Sequence, residues 1–277
     1  MTILRYLLLC IILCVTPLWT YAQGAQQYNR ADPTVRGLVA WYLARPGFTG
    51  GPKWYDATGR YHGALTSSVW GVSSRAGGRY ELRLDGTSST VNLGNIILTG
   101  GNYTIAVWLK SPFNGTGYLF DAEYSNGATR FIVSLNGGAL GGPSRGVQVE
   151  INGAGAPVTA ANIFPVDTWC HLTLTMSVSA NLLTAYLNGQ VVGTTGFADP
   201  FGTSGASHFV VGSRHSQGSE FWRGTVDDIR LYTTKYSAGE VQALYQQTAQ
   251  PNTFTVANLV GRSISVPTGT FFHLFKK

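Results

Sequence analysis

The sequence predicts an all-β protein built as a two-sheet sandwich. Short β-like runs follow one another along the chain, separated by Gly, Asn, Ser and Pro, and the chain holds 35 glycines but few helix-length periodic windows. Asn188-Gly189 between two such runs predicts a type I′ hairpin turn. Many short strands of this kind favour two packed sheets. The predicted strands are residues 37–43, 79–85, 103–110, 129–135, 145–151, 169–176, 182–189, 208–214 and 225–232.

The N-terminus has the pattern of a secretory signal. Arg5 precedes an apolar run over residues 6–15, and residues 20–22 fit a cleavage site before Gln23. The run is shorter than the roughly 20 residues that span a membrane. We therefore predict that residues 1–22 are removed and that the protein is secreted, extracellular or at the cell surface. Residues 23–35 form a polar lead-in.

Charge and cysteine content narrow the functional classes. The formal net charge is +6, and removal of Arg5 with the signal leaves +5. The basic residues are scattered, so a nucleic-acid-binding stripe is not predicted. Cys10 and Cys14 leave with the signal, so Cys170 has no partner for an internal disulfide and is expected in the core.

Residues 224–232 predict a closing strand that carries two adjacent carboxylates. Alternation along a strand puts Asp227 on the face of Ile229 and Leu231, and Asp228 on the opposite face near Arg230. Because a buried unpaired carboxylate is costly, we expect Asp227 to be fully hydrogen-bonded or ligated. Asp228 is expected to be more exposed.

A short helix is predicted after the closing strand. Ser237 and Glu240 have the spacing of a capping box. Val241, Leu244 and Tyr245 then form one apolar stripe. The helix should therefore cover one sheet.

The order of the segments resembles a known family. GLVAWYL, DATGRYHGAL, LRLDGTSSTVNLG, YTIAVWLK, WCHLTLTM, AYLNGQVV, VVGSR and GTVDDIRLY are similar to the laminin-G-like, concanavalin A-like lectin/glucanase family over about residues 36–245. The resemblance implies a two-sheet antiparallel jelly-roll sandwich over 36–248, with one short C-terminal helical turn. A strand-like tail follows at 249–277. The family holds lectin-like modules, adhesion domains, pentraxin-like proteins and glycan-cleaving relatives, so fold alone does not fix function.

The resemblance also implies calcium candidates, since some members of the family bind calcium through Asp and Asn oxygens at the sandwich edge. The candidate ligands here are Asp56, Asp85 and Asp227. The alternative, which we favour, is that Asp56 and Asp85 cap turns and that Asp227 accepts hydrogen bonds. Calcium is then possible but not required, and no other cofactor is expected.

Aromatic residues in loops are the candidates for glycan binding, because sugars stack their apolar faces on exposed rings. These candidates are Trp54, Tyr55, Tyr61 and Trp222. Tryptophans in predicted strands are expected in the core instead: Trp41, Trp108 and Trp169. Asn102 and Asn114 begin N-x-T sequons and are candidate glycosylation sites.

An enzyme is the less favoured alternative. Asp121 and Glu123 share one strand face, but the E-x-D-x-E pattern of jelly-roll glucanases is absent. We expect both to be solvated strand-end carboxylates. The R-x-E-L-R pattern at residues 79–83 lacks the other strands of alginate lyases and is interpreted as coincidence. The sequence therefore predicts a non-catalytic protein.

The tail favours self-association. Its β-like pattern and aromatic cluster need a sheet to pair with, either in the same chain or in a neighbour. We favour a head-to-tail filament of copies of the chain, with a monomeric calcium-assisted carbohydrate-binding module as the alternative. The partners are then copies of itself, extracellular glycans or both. The residues predicted to self-associate are Phe254, Val256, Ile264, Val266, Phe271, Phe272 and Phe275.

Overall fold

The structure is a computed structural model. It describes residues 32–45, 47–75, 80–123, 130–137, 142–201, 208–214, 220–249, 253–257 and 263–267. The predicted signal peptide and the tail residues Phe271, Phe272 and Phe275 lie outside these ranges.

The described chain is mostly β-strand, which confirms the predicted fold class. A 3-10 turn at Pro33–Val35 precedes the strands, and one α-helix, α1 (Ala238–Ala249), follows the seventeenth. In chain order the strands are β1 (Leu38–Tyr42), β2 (Thr49–Gly50), β3 (Lys53–Trp54), β4 (Gly63–Thr66), β5 (Val69–Val72), β6 (Tyr80–Asp85), β7 (Thr90–Asn92), β8 (Asn102–Lys110), β9 (Tyr118–Glu123), β10 (Arg130–Ser134), β11 (Gln148–Ile151), β12 (Ala154–Pro157), β13 (Cys170–Ser177), β14 (Leu182–Leu187), β15 (Gln190–Thr195), β16 (His208–Val211), β17 (Arg223–Tyr232), β18 (Thr253–Ala257) and β19 (Ser263–Pro267).

Two large antiparallel sheets form the sandwich. The first runs β15-β14-β13-β8-β17-β6-β5, and β1 joins it by pairing with the second half of β17. The second runs β12-β11-β10-β9-β16-β7-β4-β3-β2. The predicted hairpin between β14 and β15 is present, with φ of 51° at Asn188 and 81° at Gly189. Positive φ at both central residues is what a type I′ turn requires.

Alternate residues of the facing strands build the apolar core. Val107 and Leu109 of β8 meet the second sheet together with Leu172 and Leu174 of β13, and all four are at most 1% exposed. Cys170 belongs to the same row, as predicted, and burial raises the pKa of its thiol to about 11. Burial of each such aliphatic side chain contributes about 1.5–3 kcal/mol, so the core needs no cross-link.

The helix α1 covers the outer face of the first sheet. The capping box is confirmed: the Ser237 amide donates to Glu240 Oε2 at 2.8 Å, and the Glu240 amide lies 3.4 Å from Ser237 Oγ. Val241 and Leu244 are fully buried against Tyr232 and neighbouring aromatics of that face. No helix in the described part of the chain combines the length and hydrophobicity needed to cross a membrane.

A β-bulge in β17 changes the faces predicted for the two carboxylates. Asp227 pairs with Trp108 and Arg230 pairs with Ala106, so β17 has one residue more than β8 between these pairs. The extra residue is Asp228, whose φ is 50°. A bulge offsets the alternation of side chains. Asp227 therefore lies on the outer face with Trp108, and its predicted core-facing position is wrong.

Both carboxylates are buried in ion pairs beneath α1. Asp227 accepts from the Arg75 guanidinium and from the Ala44 amide at 2.9 Å, which confirms that it is fully hydrogen-bonded. Asp228 accepts from Arg230 Nε at 2.8 Å and from Trp41 Nε1 at 2.6 Å. Asp228 is only 3% exposed, so its predicted exposure is wrong. Its position inside the bulge brings it to Arg230 and Trp41 rather than to solvent.

The two carboxylates respond to this environment in opposite directions. Burial, which the Arg75 ion pair only partly offsets, raises the pKa of Asp227. Asp228 is equally buried, but the ion pair with Arg230 keeps its pKa well below the ordinary value. Each aspartate is thus paired with one arginine, as buried charges require.

The tail forms a hairpin of its own. β18 and β19 pair with each other, and this two-stranded sheet is hydrogen-bonded to neither sheet of the sandwich. The register places Phe254 opposite Val266 and Val256 opposite Ile264. The register therefore pairs four of the residues predicted to self-associate with one another.

Removal of one partner from the buried network should be costly. We expect Asp227→Ala to lower the free energy of unfolding by about 3–5 kcal/mol, because Arg75 would remain buried without its carboxylate. The measurement is equilibrium unfolding in denaturant. The matched control is Arg36→Ala, which removes the exposed pair with Glu240 and should cost less than about 1 kcal/mol. Equal losses in the two variants would contradict the role of the network.

Candidate ligand-binding cleft

The three carboxylates predicted as calcium ligands do not converge. Asp56 accepts hydrogen bonds from Trp41, Thr58, Arg60 and Tyr61 amides, all at 2.8–3.0 Å. It therefore closes the turn that follows β3, as the favoured alternative predicted.

Asp85 and Asp227 are also occupied. Asp85 accepts from the amides of Thr87, Ser88 and Ser89. Although partial burial opposes its ionisation, these amides hold the pKa of Asp85 far below the ordinary value. Asp227 is engaged by Arg75. Within the described ranges no group of three or more His, Cys, Asp or Glu residues is arranged to hold a metal ion, and calcium binding by these three residues stays a prediction.

Two of the four aromatics predicted to bind glycans are buried. Trp54 is fully buried, with its Nε1 donating to Leu43 O at 3.0 Å, and Trp222 is 2% exposed. Neither ring offers a face to a ligand, so both predictions are wrong: the loop aromatics fold inward. Tyr55 and Tyr61 are partly exposed and stay predicted contacts.

The predicted glycosylation sites both reach the surface. Asn102 opens β8 and Asn114 lies in the following loop, and both are exposed. They stay predictions.

A cleft of about 450 Å³ opens beside the C-terminal half of α1. It is formed by five segments that are distant in sequence: the loop after β5, the strand β8, the residues before β13, the β14–β15 turn and α1. Its lining includes Ser74, Arg75, Trp108, Trp169, Asn188 and Tyr245. None of these residues was predicted to bind a ligand.

The floor of the cleft is a stack held by the buried ion pairs. The Arg75 guanidinium lies 4.8 Å from the centroid of the Trp108 ring. Arg75 also donates to Thr248 O at 2.7 Å, and Trp108 Nε1 donates to Thr248 Oγ1 at 2.9 Å. The last turn of α1 is therefore fixed to β8, and the floor is rigid without a ligand.

Two aromatic rings reach solvent in the cleft. Trp169 is partly exposed; its Nε1 donates to Ser74 Oγ at 3.1 Å, and Lys110 Nζ lies 5.2 Å from its ring centroid. Tyr245 is also partly exposed, with its ring 5.8 Å from that of Trp108. These contacts fix both rings in place.

Polar groups surround the rings. Asn188 Oδ1 accepts from the His171 amide at 2.9 Å, which orients the side chain and leaves its Nδ2 group for a ligand. Asp167, Thr168 and Ser74 are exposed at the rim. The cleft thus combines apolar ring faces with a few hydrogen-bonding groups, the usual composition of a small-molecule site.

His171 lies under this cleft as an uncharged side chain. Its ring is 5.1 Å from Trp108 and 6.0 Å from Tyr245, and it is 2% exposed. Burial lowers its pKa to about 3. His171 therefore packs as a neutral ring and has no direct part in ligand chemistry.

The carboxylates considered for an enzyme lie on the other sheet. Asp121 and Glu123 are 0% and 6% exposed, so the prediction that they are solvated is wrong. Glu150 joins them on the same face, because Ile132 pairs with both Asp121 and Glu150. All three carboxylates make further polar contacts. They lie outside the cleft, whose lining contains one carboxylate, Asp167.

Strand parity indicates an outer position for Trp169. Cys170, Leu172 and Leu174 face the core, so the residue before Cys170 continues the row of His171 on the outer face. The predicted core position of Trp169, which rested on its place in a predicted strand, is therefore wrong. The contributions of Arg75 and Tyr245 depend on long-range contacts that leave no local pattern.

The family of the chain is established by its match over more than half its length. Residues 85–242 match the laminin G family model described as the concanavalin A-like lectin/glucanases superfamily. The chain belongs to this superfamily, as the sequence pattern suggested. The adhesion G-protein coupled receptor V1 of Danio rerio is 23% identical over 160 residues, which cover 56% of this chain but 2% of the receptor.

Solved structures share the fold at low sequence identity. Domain 4 of AbnA, a GH43 extracellular arabinanase from Geobacillus stearothermophilus, in complex with arabinotriose, superposes with a TM-score of 0.58 at 18% identity. That match covers 76% of this chain and 98% of that domain. Trypanosoma rangeli sialidase gives 0.55 at 18% identity, covering 78% of this chain and 34% of the sialidase. These likenesses show the fold alone.

Burial of His171 should make stability depend on pH. The unfolded state binds a proton near pH 6.5, whereas the folded state does so only near pH 3, so acid favours unfolding between these values. We expect this histidine to lower the free energy of unfolding by about 2 kcal/mol between pH 7 and pH 5. Denaturant titrations at several pH values should show a shallower dependence for His171→Phe. The control, His62→Phe, alters an exposed histidine and should retain the dependence on His171. An unchanged slope in His171→Phe would show that the ring is not buried neutral.

Proposed function

We propose that the chain is an exported, non-catalytic carbohydrate-binding module and that the cleft beside α1 is its binding site. The observation that carries the proposal is the presence of two partly exposed rings, Trp169 and Tyr245, in one cleft with Asn188 and Asp167. No other function is suggested by this combination of groups as directly.

The chemistry of the lining suits a sugar. The apolar face of a sugar ring packs on an aromatic ring, while its hydroxyls need donors and acceptors at the edge of that ring. Asn188 Nδ2 is a donor, Asp167 is an acceptor, and the Ser74 and Thr168 hydroxyls act as either. Since Trp169 and Asn188 are already fixed by Ser74 and His171, little side-chain entropy is lost when a ligand binds.

The composition of the cleft supports a binding module more than a catalyst. The arabinanase domain, almost all of which superposes, is in complex with arabinotriose, although this likeness by itself concerns the fold. Hydrolysis of a glycosidic bond ordinarily takes two carboxyl groups that flank the bond. Among the described residues that line the cleft, Asp167 is the one carboxylate, so we propose recognition without cleavage.

Calcium is not needed for this proposal. The three carboxylates first considered as ligands are engaged by protein donors. The cleft itself offers one carboxylate, whereas calcium takes six to eight oxygen ligands. Binding should therefore depend on the aromatic rings rather than on a cation.

Loss of the Trp169 ring should abolish most of the binding. We expect Trp169→Ala to weaken affinity at least tenfold for any bound member of a panel of arabinotriose, linear arabinan and sialic acid-containing glycans, because truncating a central aromatic contact commonly costs more than about 1.4 kcal/mol. The measurement is calorimetry after screening of the panel.

Tyr55→Ala is the matched control, since Tyr55 is partly exposed but lies outside the cleft lining. It should bind as the unchanged protein does, and EDTA should have no effect. Loss of binding in Tyr55→Ala together with full binding in Trp169→Ala would show that the site lies in the loop that contains Tyr55. No binding to a broad glycan panel would count against the proposal.

Self-association through the tail is a second candidate function. The observation that favours it is the separate sheet formed by β18 and β19, which pairs with neither sandwich sheet. An isolated two-stranded hairpin is at best marginally stable in water. The hairpin contains the paired apolar residues Phe254, Val256, Ile264 and Val266 and would gain from a sheet in a neighbouring copy.

Truncation after Gln250 tests this second candidate. We expect the full chain to sediment as a concentration-dependent series of oligomers and the truncated chain to sediment as a monomer. Both sandwich sheets are complete without the hairpin, so the truncated chain should keep its fold and its glycan binding. Monomeric behaviour of both forms at high concentration would rule out self-association.

A further inference from the structure

The edge strand β5 is the most apolar open edge of the sandwich. β5 ends the first sheet and pairs only with β6. Val69 and Val72 are 61% and 77% exposed, the two highest values among the large hydrophobic residues exposed in the described ranges. An edge strand also leaves a row of backbone amides and carbonyls without strand partners. Both features favour the addition of another strand.

The other sheet edges are less suited to this. β15 has a further bridge, from Gly193 to Thr159, along its outer side. β12 contains Pro157, which lacks an amide donor, and β2 has only two residues. Among the four strands that end the two sheet paths, β5 is therefore the one at which an added strand meets the fewest obstacles.

Trp70 adds an unpaired donor at the same edge. Its ring packs 5.5 Å from Trp54 between the two sheets, and the Trp70 Nε1 atom is buried without a hydrogen-bond partner. A buried donor left without an acceptor is unfavourable. A carbonyl or hydroxyl group brought to this edge by an added strand would satisfy it.

The chain contains a segment of matching length. β18 and β19 have five residues each, against four in β5, and each has one free edge. Four residue steps separate Ala249 from Thr253, a span of at most about 14 Å. Arg75, three residues after β5, bonds to Thr248 at the end of α1. The hairpin thus starts within reach of β5 of its own chain, and its described strands pair only with each other.

We propose that β5 of one copy accepts the β18–β19 hairpin of a second copy as added strands. The proposal rests on the self-association candidate and identifies the surface that receives the hairpin. The contact joins two different surfaces, an edge and a tail, so repeating it produces an open chain of copies rather than a closed dimer. The proposed contact involves no residue of the cleft lining, so glycan binding does not depend on this contact.

Two complementary variants test the proposal. The first, Val69→Lys/Val72→Lys in residues 23–277, blocks the edge and keeps the hairpin. The second, residues 23–250, keeps the edge and lacks the hairpin. Each should sediment as a monomer, with self-association of the double variant weakened at least tenfold. Their mixture should form a one-to-one complex. The matched control Ile97→Lys changes an apolar loop residue that is 48% exposed and should assemble normally.

The outcomes separate the edge from self-association in general. If the double variant assembles with unchanged affinity while residues 23–250 stay monomeric, β5 is not the receiving surface. Self-association through the tail would still be supported. A monomeric unmodified chain would overturn both. Near-UV circular dichroism should show that each variant is folded, and Val72→Lys alone gives a milder form of the same block. Absence of the one-to-one complex between two folded variants would also overturn the proposal.

Discussion

The ion pairs buried beneath α1 are the interaction on which the rest of the structure depends. Arg75 joins the loop after β5 to Asp227 in β17 and to the end of α1 at Thr248. Arg230 and Asp228 join β17 to Trp41 in β1. Burying four charges is favourable only if all are paired and their hydrogen bonds are complete. The network therefore fixes β1, β5, β17 and the helix in one arrangement, with few alternatives of similar energy.

The cleft is a consequence of that arrangement. Arg75 covers one face of Trp108, and the helix end above it is fixed by the hydrogen bonds that both residues make to Thr248. Trp169 and Tyr245 are then placed at the opening with little freedom to turn away. Recognition would use the rigidity of the sandwich, in keeping with sites that are built on strands and helices rather than on free loops.

Local patterns were sufficient to predict much of the fold. Asn188-Gly189 imposes its own turn, and Ser237 with Glu240 caps its own helix, because in each case the interacting groups are within a few residues. The bulge at Asp228 was not predictable in this way. Its positive φ is stabilised by Arg230 and by Trp41, which is 187 residues away in the chain.

The site was harder to predict than the fold for the same reason. Trp54 was predicted to be an exposed loop aromatic, but it lies inside the sandwich and its Nε1 donates a hydrogen bond to Leu43 O. Trp169 looked like a core residue but continues the outer row of β13. A ring is equally apolar in both settings, so composition does not distinguish them. Parity along β13 was informative for Trp169, whereas the partners of Arg75 became clear only from the tertiary structure.

Chemical labelling of the Cys170 thiol would report on opening of the core. Its pKa of about 11 keeps it protonated near neutral pH, and it is 1% exposed, so an alkylating reagent can reach a reactive thiolate only when the core opens. In the mature chain predicted to begin at Gln23 it is the sole cysteine, so each labelling event marks one opening of the sandwich. The rate of labelling would then measure how often the two sheets separate under native conditions.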